Sequence, residues 1–480
     1  MQVKGGRLEL LVPHMLRGQL LRPGFVRLSL RLGLTRQMPA WAKLQFTNNG
    51  ITAADLEDVL GRITSLEGWA DEWEKLGQRH EHEAAGADAR GETRVAGQHR
   101  LWASAAYNFA QYVVFMDPAR KRELHEQCVR AYAAGAPHVE FPARPFEVMF
   151  RKRLVRGWLR QPHGEGPHPV VVIFNGTNGV KEELHQWADA YLERGIATIT
   201  LDGPGLGETF HRLGTVAEPR PLGVAIMNRI ESEPSLDADA VAYMGLSLGG
   251  YAVIKMAAHD PRVRCVAAVS PPFSVDVYWN VTLSSMRKEF ASLYDMSVEE
   301  MDAFIPRITL EPALPDLRAP LLLVGGGHDM ITPGHEAQRI FTTARNEREL
   351  VYYPRGAHEC FNVLSDLRPR MTGWVAQQLA RHRTAPVRRP RLAGPDPRDA
   401  AFVAGEAVDP DFADDLMGEG VPLEWHAHRK HESLAAHFTW PWSAERHVQV
   451  MRHSESGEGL EPASRRSTWG RGAHDLARPA

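Results

Sequence analysis

Cysteine is scarce in this chain. Its 480 residues hold three, Cys128, Cys265 and Cys360, too widely spaced to make a metal knuckle or a disulfide framework. The usage fits a reducing cytoplasm, which is the expected location. Long apolar runs are missing as well: no stretch approaches the eighteen or so residues that a membrane span needs. The first residues are basic but hold no continuous apolar segment, so no secretory signal is evident. Neither sign of charge dominates, with 56 basic and 59 acidic residues and a formal charge of −3. Such a balance leaves no electrostatic footprint for nucleic acid. A nucleic-acid partner and stable membrane insertion are therefore not expected.

What is present is an ordinary globular composition, 43% hydrophobic and 24% charged, on a chain long enough for two or three units. Residues 1–44 are rich in arginine and leucine, and Pro13, Pro23 and Pro39 interrupt any long helix, so they read as a poorly ordered basic extension. From Thr52 the period changes. Thr52 with Asp55 is a capping signal, and Leu56, Val59, Leu60 and Ile63 recur at helical spacing. Further helices are predicted over 66–85, 89–115 and 118–134. Trp102, Ala106, Phe109, Ala110 and Val113 form a stripe expected to pack on the following domain. Residues 45–144 are thus an all-helical cap domain.

A hairpin is expected over 146–159, after which strand and helix signals alternate. Strands are predicted at 170–174, 196–201, 241–244, 263–269, 321–324 and 350–353. Helices are predicted at 181–193, 222–231, 251–259 and 367–382. Apolar, β-branched strands alternating with helices predict an α/β fold, a mainly parallel sheet covered on both faces, spanning 145–384. An insert at about 271–319, with a capping box at Ser297 and Glu300, reads as a lid over the end of the sheet where ligands bind. The tail, 385–480, has no sustained period. Its His426, His428 and His431 lack supporting cysteines or carboxylates, so neither a metal nor a cofactor is expected there.

One pentapeptide organises the chemistry. Gly245-Leu246-Ser247-Leu248-Gly249 lies between a predicted strand and a predicted helix, the context of a nucleophile elbow. A serine there needs a base, and the base an orienting acid, in the chain order Ser, Asp or Glu, His. Asp329 follows the strand at 321–324, and His358 lies in Gly356-Ala357-His358-Glu359 after the strand ending at 353. His328 competes for the role of base, but its strand is the one that supplies the acid. The expected triad is Ser247, Asp329 and His358, the histidine taking the serine proton and the aspartate fixing its tautomer. The backbone N–H of Leu248 and that of Thr177, in Asn175-Gly176-Thr177-Asn178-Gly179, are the expected oxyanion donors. Asn175, Phe273, Tyr278 and Trp279 are the candidate substrate contacts, the three aromatics forming a flat apolar wall.

The segments Phe46-Thr47-Asn48-Asn49-Gly50, Asn175 to Glu183 and Asp202-Gly203-Pro204-Gly205, taken with the elbow, resemble the 2,6-dihydroxypseudooxynicotine hydrolase group. That group is similar to the fermentation-respiration switch protein-like (FrsA-like) esterases and to fungal polyketide-shortening enzymes. The resemblance covers roughly residues 46–384. It implies an α/β-hydrolase with a helical N-terminal cap, often a homodimer, that needs no metal and cleaves a carbon-carbon bond beside an aryl ketone. It places the triad on Ser247, Asp329 and His358. It also implies an additional glutamate after the sixth strand, where residues 270–282 here have none and Asp276 is the nearest substitute. The expected activity is hydrolysis of a carbon-carbon bond next to a ketone in an aromatic or polyketide-like substrate. An ester or thioester hydrolase with the same triad is the alternative. A non-catalytic binder of a ligand or partner is a third reading, which the intact motifs oppose.

Overall fold

The computed structural model describes residues 40–114, 117–150, 152–177, 179–203, 206–209, 219–279, 284–292, 296–384 and 448–453. Residues 1–39 of the extension expected at 1–44 and most of the tail, including its three histidines, lie outside these residues.

The cap is built from helices α1 (Ala40–Thr47), α2 (Ala53–Arg62), α3 (Leu66–Ala89), α4 (Thr93–Gln111) and α5 (Pro118–Gly135). Thr52 caps α2, its hydroxyl accepting from the Asp55 N–H at 3.1 Å, as its sequence signal predicts. α1 begins at Ala40, so the cap starts earlier than expected. The break between α3 and α4 falls at 90–92 rather than before Ala89. Gly91 is in the left-handed region, φ 75°, and the Glu92 N–H reaches back to the Ala87 carbonyl at 2.9 Å. That pattern is a Schellman stop.

The stripe on α4 does not pack on the following domain. Ala106, Phe109 and Ala110 face the cap's own core of Phe46, Trp69 and Trp73, with Phe46 and Trp73 stacked at 5.4 Å. Apolar side chains of α2 and α3 offer the larger surface, so the stripe buries there. The other face of α4, with Ala103 and Tyr107, meets Val180 of the hydrolase domain.

Nine strands form one sheet in the order β1-β2-β4-β3-β5-β6-β7-β8-β9. β1 (Ala143–Phe150) and β2 (Arg153–Arg160) make the expected hairpin. β3 (His168–Phe174), β4 (Ala197–Leu201), β5 (Leu236–Leu246), β6 (Val263–Val269), β7 (Leu321–Gly326) and β8 (Arg348–Tyr353) run parallel. One face is covered by α7 (Arg220–Glu231), α8 (Leu248–His259) and α12 (His335–Thr343), the other by α6 (His185–Leu192) and α13 (Leu364–Thr384). This is the doubly covered parallel sheet that buried β-branched strands require. The insert carries α9 (Asp276–Trp279), α10 (Ser284–Ser292) and α11 (Val298–Phe304), and the predicted capping box at Ser297 and Glu300 is formed. Phe273, Trp279, Met301 and Leu310 join the same apolar cluster as the sheet face, so the insert is packed down onto the core.

The tail holds one element that its sequence does not announce. β9 (Gln449–His453) pairs antiparallel with β8 and closes that edge. Five residues are too few to show a period. The pairing is favoured by Val450 and Met451 packing on the two apolar clusters and by Arg452 bound to Glu349 at 2.8 Å.

Candidate active site

The turn from β5 to α8 places Ser247 at φ 50°, ψ −119°, a region that non-glycine residues occupy only when their surroundings force it. The surroundings do so by close approach. A Cβ on Gly245 would lie 2.3 Å from the Gly249 backbone, and one on Gly249 would lie 2.5 Å from the Asn175 carbonyl. Only glycine fits at either position. The elbow is strained, and Ser247 is buried, at 5% exposure. The Gly176 turn lies over it, for a Cβ on Gly176 would be 3.1 Å from Ser247 Cβ.

His358, just after β8, holds Nε2 3.0 Å from Ser247 Oγ. Its Nδ1 is 2.9 Å and 3.0 Å from the two carboxylate oxygens of Asp329. Asp329, after β7, also accepts from the Ile331 and Thr332 N–H groups at 2.9 and 2.7 Å, which fixes its plane. Three residues 111 and 29 positions apart thus converge at the carboxyl ends of the parallel strands β5, β7 and β8. His328 makes no contact with Ser247; its own N–H donates to the Gly356 carbonyl at 2.9 Å. Leu248 is the first residue of α8, so its N–H has no intrahelical acceptor and lies beside Ser247. Thr177 follows Gly176 in the turn over the serine.

The expected substrate contacts fare differently. The Asn175 amide is used within its own loop: it donates to Val180 O at 3.2 Å and Glu183 at 3.0 Å and accepts from the Gly176 N–H at 2.8 Å. These bonds shape the loop, and Asn175 also lines a small cavity with Glu183, Leu246 and Glu359. Phe273 is buried under the Arg339 guanidinium, 3.8 Å from its ring centre. Trp279 is buried against Phe290 and donates to Asp302 at 2.6 Å. Both are packing residues, because the insert needs an apolar underside to dock. Only the backbone of Tyr278 is described. Asp276, the substitute acid, is exposed at the start of α9.

Two glutamates that the motif reading passes over stand at the seam of cap and core. Glu183 receives Tyr112 Oη at 2.8 Å, Asn49 Nδ2 at 2.7 Å and Asn175 Nδ2 at 3.0 Å. Burial outweighs these donors and pushes its carboxyl up to about 7. Glu359 follows the histidine, and its Oε1 lies 3.9 Å from His358 Nε2. Burial raises its carboxyl too, with Asp329 adding to the effect and His358 opposing it.

His125, Glu182 and Asp202 also come together, with ligating atoms within 4.8 Å of one another. The Lys181 ammonium is already among them, 2.8 Å from Glu182, 3.1 Å from Asp202 and 2.6 Å from Glu208. A cation of the chain's own therefore fills the centre of this cluster.

Comparison with known proteins bears on the family and the fold. The family model described as Esterase FrsA-like matches residues 41–298. The 2,6-dihydropseudooxynicotine hydrolase of Paenarthrobacter nicotinovorans is 26% identical over 71% of this chain and 91% of its own length. Esterase FrsA of Vibrio parahaemolyticus is 24% identical over 48% of this chain and 59% of its own. A solved 2,6-dihydroxy-pseudo-oxynicotine hydrolase superposes with a TM-score of 0.64 at 26% identity, covering 72% of this chain and 98% of that one. With more than half its length matched by the family model and an α/β-hydrolase sheet beneath the elbow, the chain belongs to the FrsA-like esterase family of α/β-hydrolases.

Proposed function

We propose that the protein is a serine hydrolase that cleaves a carbon-carbon bond next to a ketone in an aromatic or polyketide-like substrate, through an acyl-enzyme. The observation that carries the hydrolase reading is the continuous chain of contacts from Ser247 Oγ to His358 Nε2 and from Nδ1 to Asp329. Neutral His358 takes the serine proton as Oγ attacks the carbonyl carbon. Asp329 holds the productive tautomer and stabilises the imidazolium. The N–H groups of Leu248 and Thr177 receive the oxyanion, each worth about 3 to 4 kcal/mol in barrier height. The tetrahedral intermediate then collapses, the carbon-carbon bond breaks, and the leaving group departs as an enol that carries away the equivalent of the proton taken from the serine, which leaves His358 neutral. Water attacks the acyl-enzyme with His358 as base, and the proton returns to Ser247 Oγ as the acid is released.

The carbon-carbon specificity draws support from the Paenarthrobacter relative, which this chain covers over 91% of its length. The second reading, an ester or thioester hydrolase, draws support from the family model's esterase description. A small-molecule substrate and a homodimer remain parts of this proposal.

A fluorophosphonate probe should label the wild type and fail to label Ser247→Ala. Absence of labelling in a folded wild type would overturn the hydrolase reading. Turnover of p-nitrophenyl acetate beside 1-phenylbutane-1,3-dione separates the two bond types. His358→Ala should lower kcat by at least about 10³-fold, whereas an unchanged rate would move the base elsewhere.

A further inference from the structure

Glu359 occupies a place that an ordinary loop residue would not. It and Cys360 are consecutive non-glycine residues in the left-handed region, at φ 55° and 52°. Such a conformation is costly for a residue with a Cβ and persists only where the surroundings enforce it. The Glu359 N–H donates to Ser270 Oγ at 3.0 Å, and Ser270 is itself left-handed at φ 50°. The result is a carboxyl turned inward. A Cβ on Gly176 would be 3.0 Å from Glu359 Oε1 and 3.1 Å from Ser247 Cβ, so the acid and the nucleophile border the same small space. No side-chain hydrogen bond to this carboxyl occurs among the described residues.

We propose that Glu359 is a second catalytic acid, which protonates the enolate released when the carbon-carbon bond breaks. This inference rests on the carbon-carbon reading above. In that reaction Ser247 Oγ bonds to the ketone carbon and its proton passes to His358 Nε2. When the tetrahedral intermediate collapses, the carbon-carbon bond breaks and its electron pair leaves as an enolate. The Glu359 carboxyl gives its proton to the enolate oxygen, so an enol departs and a carboxylate remains. The imidazolium proton on His358 Nε2 then moves to Glu359 Oε1, 3.9 Å away. That transfer restores a neutral base to activate water and a protonated acid for the next cycle. Protons and electrons balance, and no further reactant is needed.

Burial favours the acid form of Glu359; among the nearby charges His358 opposes this and Asp329 adds to it. Glu183 of the same domain and Tyr112 of the cap each feel the Glu359 charge. Two carboxyls so placed resist ionising together.

The test compares Glu359→Gln and Glu359→Ala with wild type on 1-phenylbutane-1,3-dione and on p-nitrophenyl acetate. The p-nitrophenolate leaving group needs no proton, so the acid matters to one substrate only. We expect kcat on the diketone to fall about 100-fold, and the diketone-to-ester ratio of kcat/KM to fall at least about tenfold. Fluorophosphonate labelling of Ser247 verifies that each variant is folded. The wild type should also lose diketone turnover as pH rises through the titration of Glu359, a limb that Glu359→Gln should lack. A parallel loss on both substrates, or no loss on the diketone, would overturn the role of Glu359. A wild type that hydrolyses the ester but cleaves no diketone overturns the carbon-carbon reading itself, and with it the need for this acid.

Discussion

Gly176 leaves a space that an alanine methyl would enter at 3.0 Å from Glu359 Oε1 and 3.1 Å from Ser247 Cβ. Beyond these two side chains the nearest atom to that methyl is the Leu246 carbonyl oxygen at an unstrained 3.6 Å, so the cost falls on the site more than on folding. Gly176→Ala should lower kcat/KM by about tenfold or more, with a melting temperature within about 2 °C of wild type; steady-state kinetics beside calorimetry would check both. At this scale the meeting of Ser247, Asp329 and His358 is legible in the sequence, because strand, turn and residue type coincide at each of them. Glu359 is not, although it adjoins the histidine. What distinguishes it is a left-handed backbone at a non-glycine position, and residue type alone carries no sign of that. The error over Phe273 and Trp279 has a related origin. Aromatic residues in a lid suit a ligand wall and a docking underside equally, and only their partners, Arg339, Phe290 and Asp302, decide.

Among the elements, the long helices α3 and α4 make the largest contact in the cap, and their shared core centres on Trp73, which is fully buried between Phe46, Trp69 and Phe109. Trp73→Ala should cost about 3 to 5 kcal/mol, measured as a lowered denaturation midpoint. Activity should suffer as well, because cap residues Asn49 and Tyr112 hold Glu183 and so the loop of Asn175. Helices with capping signals and strands with apolar β-branched runs were predictable here, with β6 matching residue for residue. The direction of the α4 stripe was not. Periodicity shows that a face is buried without showing what buries it. The stop at Gly91 was likewise hidden, since a Schellman turn depends on the carbonyl it bonds and a lone glycine does not name one.

The molecule as a whole folds with two histidines held neutral at the seam between cap and core. Burial pushes His185 down to about 3 and His125 down to about 4. The unfolded chain titrates both near 6.5. Between those values and 6.5 the unfolded state binds more protons, so each histidine removes up to about 1.4 kcal/mol of stability per pH unit as pH falls through that window. Glu183 acts in the opposite sense. Its raised carboxyl, at about 7, contributes stability that is present below 4.5 and lost as pH rises through 7. The double variant His125→Gln/His185→Gln should therefore lose less stability than wild type between pH 6.5 and pH 5, as read by urea unfolding at each pH. The sheet carries a different consequence at its far edge. β9 is separated from α13 by roughly sixty residues of sequence. The strand returns only five residues of ladder, two apolar side chains and one ion pair. As part of the same chain, β9 meets the β8 edge in a contact that dilution of the protein does not weaken.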